Sequence, residues 1–117
     1  MKRVLIATAI LVLVAFVALA EVHHSSEQKT KVEIDNDQVT VRRYIHPPHS
    51  TTPMHSHRQG VVVYLSDVHE RSTLADGTSK EVVHKMGDVV WAPAREHTLE
   101  NLSNTPIETI EIELKER

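Results

Sequence analysis

From Val32 to Leu114 the chain is a succession of short segments in which apolar and polar residues alternate, each stopped by a turn. No 3.6-residue period runs long enough to sustain a helix, so backbone groups must pair between strands. That feature confines the chain to the all-β classes. Val32-Glu33-Ile34 alternates, Asp35-Asn36-Asp37 turns, and Val39-Thr40-Val41 resumes the alternation, with Arg42 to Ile45 extending it. Pro47-Pro48 ends this strand, because proline cannot donate to a ladder. Val61-Val62-Val63-Tyr64-Leu65 is a continuous apolar run, too short for a typical helix, and reads as a strand buried on both faces. Asp76-Gly77 predicts a hairpin joining Arg71–Ala75 to Lys80–His84. Met86-Gly87-Asp88 predicts a second turn, Val89-Val90-Trp91 a strand closed by Pro93, and Thr98 to Leu102 the start of another. In the last strand Ile110, Ile112 and Leu114 share one face, and Thr109, Glu111 and Glu113 the other. Glu108, Glu111, Glu113 and Glu116 together read as a solvated acidic face. Short strands at this spacing predict a small antiparallel sandwich or barrel.

Residues 1–20 obey different rules. Lys2 and Arg3 precede an apolar run from Val4 to Ala20 that only Thr8 interrupts, and Ala18-Leu19-Ala20 is a small-x-small end followed by Glu21. These are the three regions of a secretory signal peptide; the alternative, an uncleaved anchor, sits at the short limit for spanning a bilayer. Both readings put the domain outside the cytoplasm, periplasmic or secreted, with membrane contact only if the segment stays uncleaved. Residues 21–31 read as a polar, flexible lead-in, which leaves 32–115 as the folded domain. Loss of Lys2 and Arg3 takes the net charge from −3 to −5 and so excludes a nucleic-acid footprint. A domain this small buries a thin core, and a bound metal or a homodimer is the expected supplement.

With no cysteine, the chain has no disulfide framework, thiolate zinc site or thiol nucleophile. Its three glycines form no phosphate-cradling loop, and no nucleophile elbow is present. Nine histidines are the chemical resource. His46, His49, His55 and His57 lie close together, and His55-Ser56-His57 puts two imidazoles on one face of a strand. Two such rings can share one metal, with a further ligand coming from elsewhere in the fold.

The segment from Gly87 through Pro93 and His97 to Asn101 resembles the second motif of the cupin superfamily, G-x5-P-x-G-x2-H-x3-N, and His55-Ser56-His57 is similar to the ligand pair of the first, G-x5-H-x-H-x3-4-E-x6-G. The resemblance implies a small jelly-roll β-barrel with inward metal ligands, here His55, His57 and His97. The glycine that opens the first motif falls at His49, its glutamate at Val61 or Val62, and its closing glycine near Val68; Arg95 takes the inner glycine of the second, and His97 comes one residue early. The carboxylate ligand is thus missing from its expected place. Three neutral imidazoles suit Fe, Cu, Ni or Zn and leave open coordination positions. Gln59 and His49 are candidate fourth ligands. Tyr64 and Trp91 are candidates for the pocket or for the core, and Arg95 either anchors an anionic substrate or pairs with Glu96 or Glu100. His46 reads as a strand-end residue, and His23, His24, His69 and His84 as solvent-facing, His69 and His84 beside Glu70 or Glu81 as partners. The resemblance implies a small-molecule oxygenase or isomerase; the alternative is a metal-free barrel serving as a binding or structural module in the cell envelope. A substrate and its reaction are not specified by these residues.

Overall fold

The computed structural model of the protein describes residues 27–116; residues 1–20, read above as a signal peptide or anchor, and His23 and His24 lie outside them. Nine strands follow one another: β1 (Lys29–Asp35), β2 (Val39–His46), β3 (His55–His57), β4 (Gly60–Tyr64), β5 (Val68–Leu74), β6 (Ser79–His84), β7 (Val89–Ala92), β8 (Arg95–Asn101) and β9 (Ile107–Leu114). One sheet has the order β1-β2-β9-β4-β7 and the other β3-β8-β5-β6, and every pairing is antiparallel. The all-β class expected from the alternation and the jelly roll implied by the resemblance are therefore the fold. Lys29 to Lys31 extend β1 ahead of the alternating segment, since an edge strand tolerates exposed lysines well.

The turns fall where the sequence puts them. Gly77 and Gly87 adopt positive φ (86° and 94°), which glycine reaches without a Cβ clash. His49 is a non-glycine residue in the same region, at φ 56°, and its Nε2 lies 2.6 Å from Asn104 Oδ1. The position where the first motif's glycine falls thus takes a left-handed backbone that glycine favours. Asn101 ties this corner together. Its Nδ2 donates to Thr105 O at 2.8 Å and lies within 3.2 Å of His46 O and Pro47 O, while its Oδ1 accepts from Ser103 N at 2.9 Å.

Side chains that alternate inward from both sheets fill the barrel unevenly. Val62, Tyr64, Val68 and Ile107, with Val90 and Ala92 against them, form an apolar cluster in which Ile107 is fully buried. Among the described residues the buried set holds six hydrophobic and twelve polar side chains, so packing alone does not account for the interior. Strand β9 carries the largest departure from the sequence reading. Its buried face is Ile107, Thr109, Glu111 and Glu113, and the face of Ile110 and Ile112 points outward, half-buried. Glu111 and Glu113 are thus interior rather than solvated, because partners from other strands meet them inside. Strand β4 likewise buries one face, not both: Val62 and Tyr64 face in, Val61 and Val63 are half-buried outside. Trp91 belongs to the outer side as well, 58 % exposed on edge strand β7 at the rim of the barrel, so it is not a core residue.

Candidate metal centre

The segment ahead of β3 sets the register that assembles the three histidines. Thr51 bridges Glu100, Thr52 N donates to Leu99 O at 2.8 Å, and Thr52 Oγ1 accepts from Leu99 N at 2.9 Å. These contacts align β3 with β8 so that His55 pairs with His97 and His57 with Arg95. The H-x-H spacing supplies two imidazoles and the cross-strand partner a third. Their rings lie 4.8 to 5.4 Å apart by centroid, and a ligand nitrogen from each falls within 4.8 Å of the others.

Hydrogen bonding decides which nitrogens are free. His55 Nδ1 donates to Pro53 O at 2.7 Å, and His57 Nδ1 is within 2.8 Å of Glu113 Oε1 and 2.9 Å of Glu111 Oε2. Carbonyl and carboxylate oxygens only accept, so both rings carry the proton on Nδ1. His97 Nδ1 lies 3.1 Å from Ser72 Oγ, and its Nε2 is buried with no partner among the described residues. An orphaned imidazole nitrogen in a protein interior costs free energy unless something outside the chain binds it. Nδ1 held by an acceptor and Nε2 left open is the arrangement that orients a metal-ligating histidine. These residues fit a divalent transition metal.

Charge points the same way. Burial lowers the His57 pKa, but hydrogen bonds and charge from Glu111 and Glu113 outweigh it and raise the value above that of free imidazole. Two carboxylates on one ring favour a cation on it, a proton or a metal. Each carboxylate has its own arginine: Arg95 lies 3.0 Å from Glu111 and Arg42 3.5 Å from Glu113. His97 behaves oppositely; burial first, then Arg95 and the neighbouring imidazoles, push its pKa down to about 3, which keeps the ring neutral. Neutral imidazole is the ligating form.

Of the other sequence candidates, His49 is exposed and bound to Asn104, and Gln59 is exposed in the β3–β4 link, so neither joins the three rings. Arg95 pairs with Glu111, not with Glu96 or Glu100, because its partner strand lies across the barrel in space. Tyr64 is a buried cavity residue, stacked on His84 at 4.1 Å. His69 is exposed and bonded to Glu81 at 2.9 Å, whereas His46 is buried, facing the cavity, with its pKa lowered to about 4 mainly by burial. Val62, one of the two positions where the motif's glutamate would fall, is the register partner of Glu111 on β9, the carboxylate that meets His57 Nδ1. Sequence reasoning overlooked Glu111, Glu113, Glu70 and Ser72. The alternation of β9 was the signal for the first two, but it does not say which face turns inward.

Beside the histidines opens a cavity of about 780 Å³, lined by Val62, Tyr64, Ser72, His97 and Glu70 among others. Glu70 follows from β5 on the face that carries Ser72, and it is 8 % exposed. Burial and then the charge of Glu111 push its pKa up to about 7, while Arg95, which opposes this, is committed to Glu111. A carboxyl with a folded value above its unfolded one binds more protons when folded. Its contribution is fully favourable below the unfolded value and is lost as pH rises through about 7. Glu70→Gln in the metal-free protein should therefore leave Tm unchanged near pH 4 and raise stability by about 3 kcal/mol above pH 8. Thermal melts of both proteins across this range check it; parallel curves at all pH values would refute a buried, titrating Glu70.

No protein-family model matches the sequence, and neither does any curated protein. Solved structures do match. A cupin domain from Bordetella pertussis Tohama I superposes with a TM-score of 0.71 at 30% identity, over 76% of this chain and 94% of that one. An RmlC-like cupin family protein with a double-stranded β-helix fold from Methanocaldococcus jannaschii gives 0.59 at 15% identity, over 79% and 84%. The polyketide cyclase RemF from Streptomyces resistomycificus gives 0.58 at 20% identity, over 78% and 67%.

Proposed function

The chain belongs to the cupin superfamily, and on that footing we propose that it holds one divalent transition metal on His55, His57 and His97 and uses it on a small organic molecule in the barrel. The buried, unpartnered Nε2 of His97 is the observation that carries this reading. Fe, Cu, Ni and Zn all suit a three-imidazole set. A metal there supplies Lewis-acid polarisation of a substrate oxygen. The chain's own residues do the rest. Pro53 O, Ser72 Oγ and the Glu111–Glu113 pair hold the three rings in one orientation. Val62 and Tyr64 of β4 and Leu99 of β8, from the two opposed sheets, line the cavity with buried apolar surface. Glu70, poised near neutral pH in the same cavity, holds or moves a proton at the substrate. This is the equipment of an isomerase- or oxygenase-type site. The chain acts outside the cytoplasm, a reading supported by the charged start, apolar run and small-x-small end of residues 1–20.

Elemental analysis of the chain purified from its native compartment tests the proposal. One metal per chain is expected, with loss of that metal in His55→Ala. Absence of metal from the purified chain and after refolding with Fe, Cu, Ni or Zn would overturn it. The metal-free binding barrel, which the valine at the motif's glutamate position favours, would then stand in its place.

A further inference from the structure

The cavity wall holds polar side chains that the barrel itself does not use. His46, Tyr64, Glu70 and Thr109 line it, each only 5 to 8 % exposed. They come from both sheets: His46 from β2, Tyr64 from β4 and Thr109 from β9 on one, Glu70 from β5 on the other. Thr109 is the register partner of Tyr64. None of the four side chains hydrogen-bonds a described residue, and unlike the enclosed Nε2 of His97 their polar atoms open onto the cavity. Buried polar groups are costly without partners, and four that face one space must find theirs outside the chain.

Glu70 and Tyr64 define the chemistry of that partner. After burial, the charge of Glu70 does most to raise the Tyr64 pKa, so the two groups are near one another, yet they do not bond each other. An ionised carboxylate only accepts, and a phenol hydroxyl held protonated donates. One oxygen that accepts from Tyr64 and donates to Glu70 satisfies both. A hydroxyl does this; a carbonyl or a carboxylate cannot donate, and an ammonium cannot accept. Charge also turns acids away. Glu70, Asp76, Glu96 and Glu111 line the cavity against two cations, Lys80 on the exposed rim and Arg95, which is committed to Glu111 at 3.0 Å. His46 adds no positive charge, since burial pushes its pKa down to about 4. Val62, Val82 and Leu99 make the wall around these groups apolar. We propose that the cavity recognises an uncharged molecule with an apolar body and a hydroxyl group, an alcohol or phenol, whose oxygen lies between Glu70 and Tyr64. Carboxylates and phosphates are refused. The inference rests on the reading of the barrel as a small-molecule site and names the class of molecule; it does not require that the metal be bound.

Phenol, anisole and benzoate are the probes, titrated by nuclear magnetic resonance at pH 8 into the full chain after chelation. Phenol should bind at least about tenfold more tightly than anisole, whose oxygen cannot donate, and than benzoate, which is charged. Glu70→Leu should bring phenol and anisole within about threefold of each other while the far-ultraviolet circular dichroism stays native. Tyr64→Phe removes a single oxygen atom and should weaken phenol by at least about threefold, an independent check if the leucine variant does not fold. Anisole or benzoate binding as tightly as phenol would overturn the proposal, and so would a preference for phenol that survives both substitutions. Binding of none of the three would overturn it as well, leaving the four polar groups to water. The metal reading is decided separately by elemental analysis: a chain that never holds metal can still prefer phenol, and a chain that does can fail to.

Discussion

Zinc, nickel, copper or ferrous ion added to the metal-free chain should raise its Tm, and His97→Ala should abolish the rise. A ligand that binds only the folded state stabilises it by about 2.7 kcal/mol at 100 times its Kd. For a domain of this size that corresponds to an upward shift on the order of 10 °C. His97 is the informative residue because its Nε2 is buried with no partner among the described residues. His49→Ala and His69→Ala serve as controls; both rings are exposed, outside the three-ring set and engaged with Asn104 and Glu81. They should keep the full metal response. Glu111→Gln and Glu113→Gln fall between, since groups that hold a ligating histidine typically contribute 10- to 100-fold in metal affinity. A response that persists in His97→Ala, or is absent from the unaltered chain with all four metals, would show that the three rings do not act as one site.

The second large effect is expected at Gly60, which carries no chemistry. A Cβ built on Gly60 would stand 1.9 Å from the carbonyl oxygen of Ile112 and 3.1 Å from Glu113 Cα. Both obstacles are backbone, so no side chain can swing aside. Gly60→Ala must force β4 away from β9 at the point where Gly60 pairs with Glu113, the residue that bonds His57. Overpacking of a tight interior costs about 1–3 kcal/mol and occasionally more; contact with rigid backbone puts this variant at the upper end. Gly60→Ala should lower Tm by more than about 10 °C or leave the protein insoluble, and soluble material should bind metal more weakly. Gly77→Ala provides the comparison. It has open space around its Cβ and only a positive φ to strain it, so its cost is about 1 kcal/mol. Equal melting temperatures for the two variants would contradict the close approach of β4 and β9.

Most of the strands, the turns and the pairing of His55 with His57 were legible in the sequence because each has a local cause; His97 was placed beside them only by the resemblance. Alternation fixes which residues share a face, Asp76-Gly77 and Gly87 fix where the chain reverses, and the H-x-H spacing needs no distant partner. What was not legible depends on residues far apart in the chain. Glu111 is interior because Arg95 and His57 await it there, 16 and 54 residues away, and alternation alone cannot choose between inside and outside. Arg95 could not be matched to its partner for the same reason. Trp91, a candidate for the pocket or for the core beside its apolar neighbours, lies exposed on edge strand β7 at the rim of the barrel. Glu70 has no motif at all; only the closed barrel makes it a buried carboxyl.

Strand β9 also defines the misfolded state to which this chain is most exposed. A strand repeats every two residues, so a slip of one residue against its neighbours exchanges its two faces completely. Here the slipped strand would carry Ile110, Ile112 and Leu114 into the barrel and release Ile107, Thr109, Glu111 and Glu113 to water. Counted by hydrophobic burial alone, the wrong alignment would be the better one. The native alignment is upheld by specific recognition: arginines that meet carboxylates, a histidine between them, and a glycine that admits one carbonyl. Each is easily lost to mutation or acid. Aggregates of this protein should accordingly be richer in buried apolar side chains than its native barrel, an inversion of the usual relation between folding and hydrophobicity.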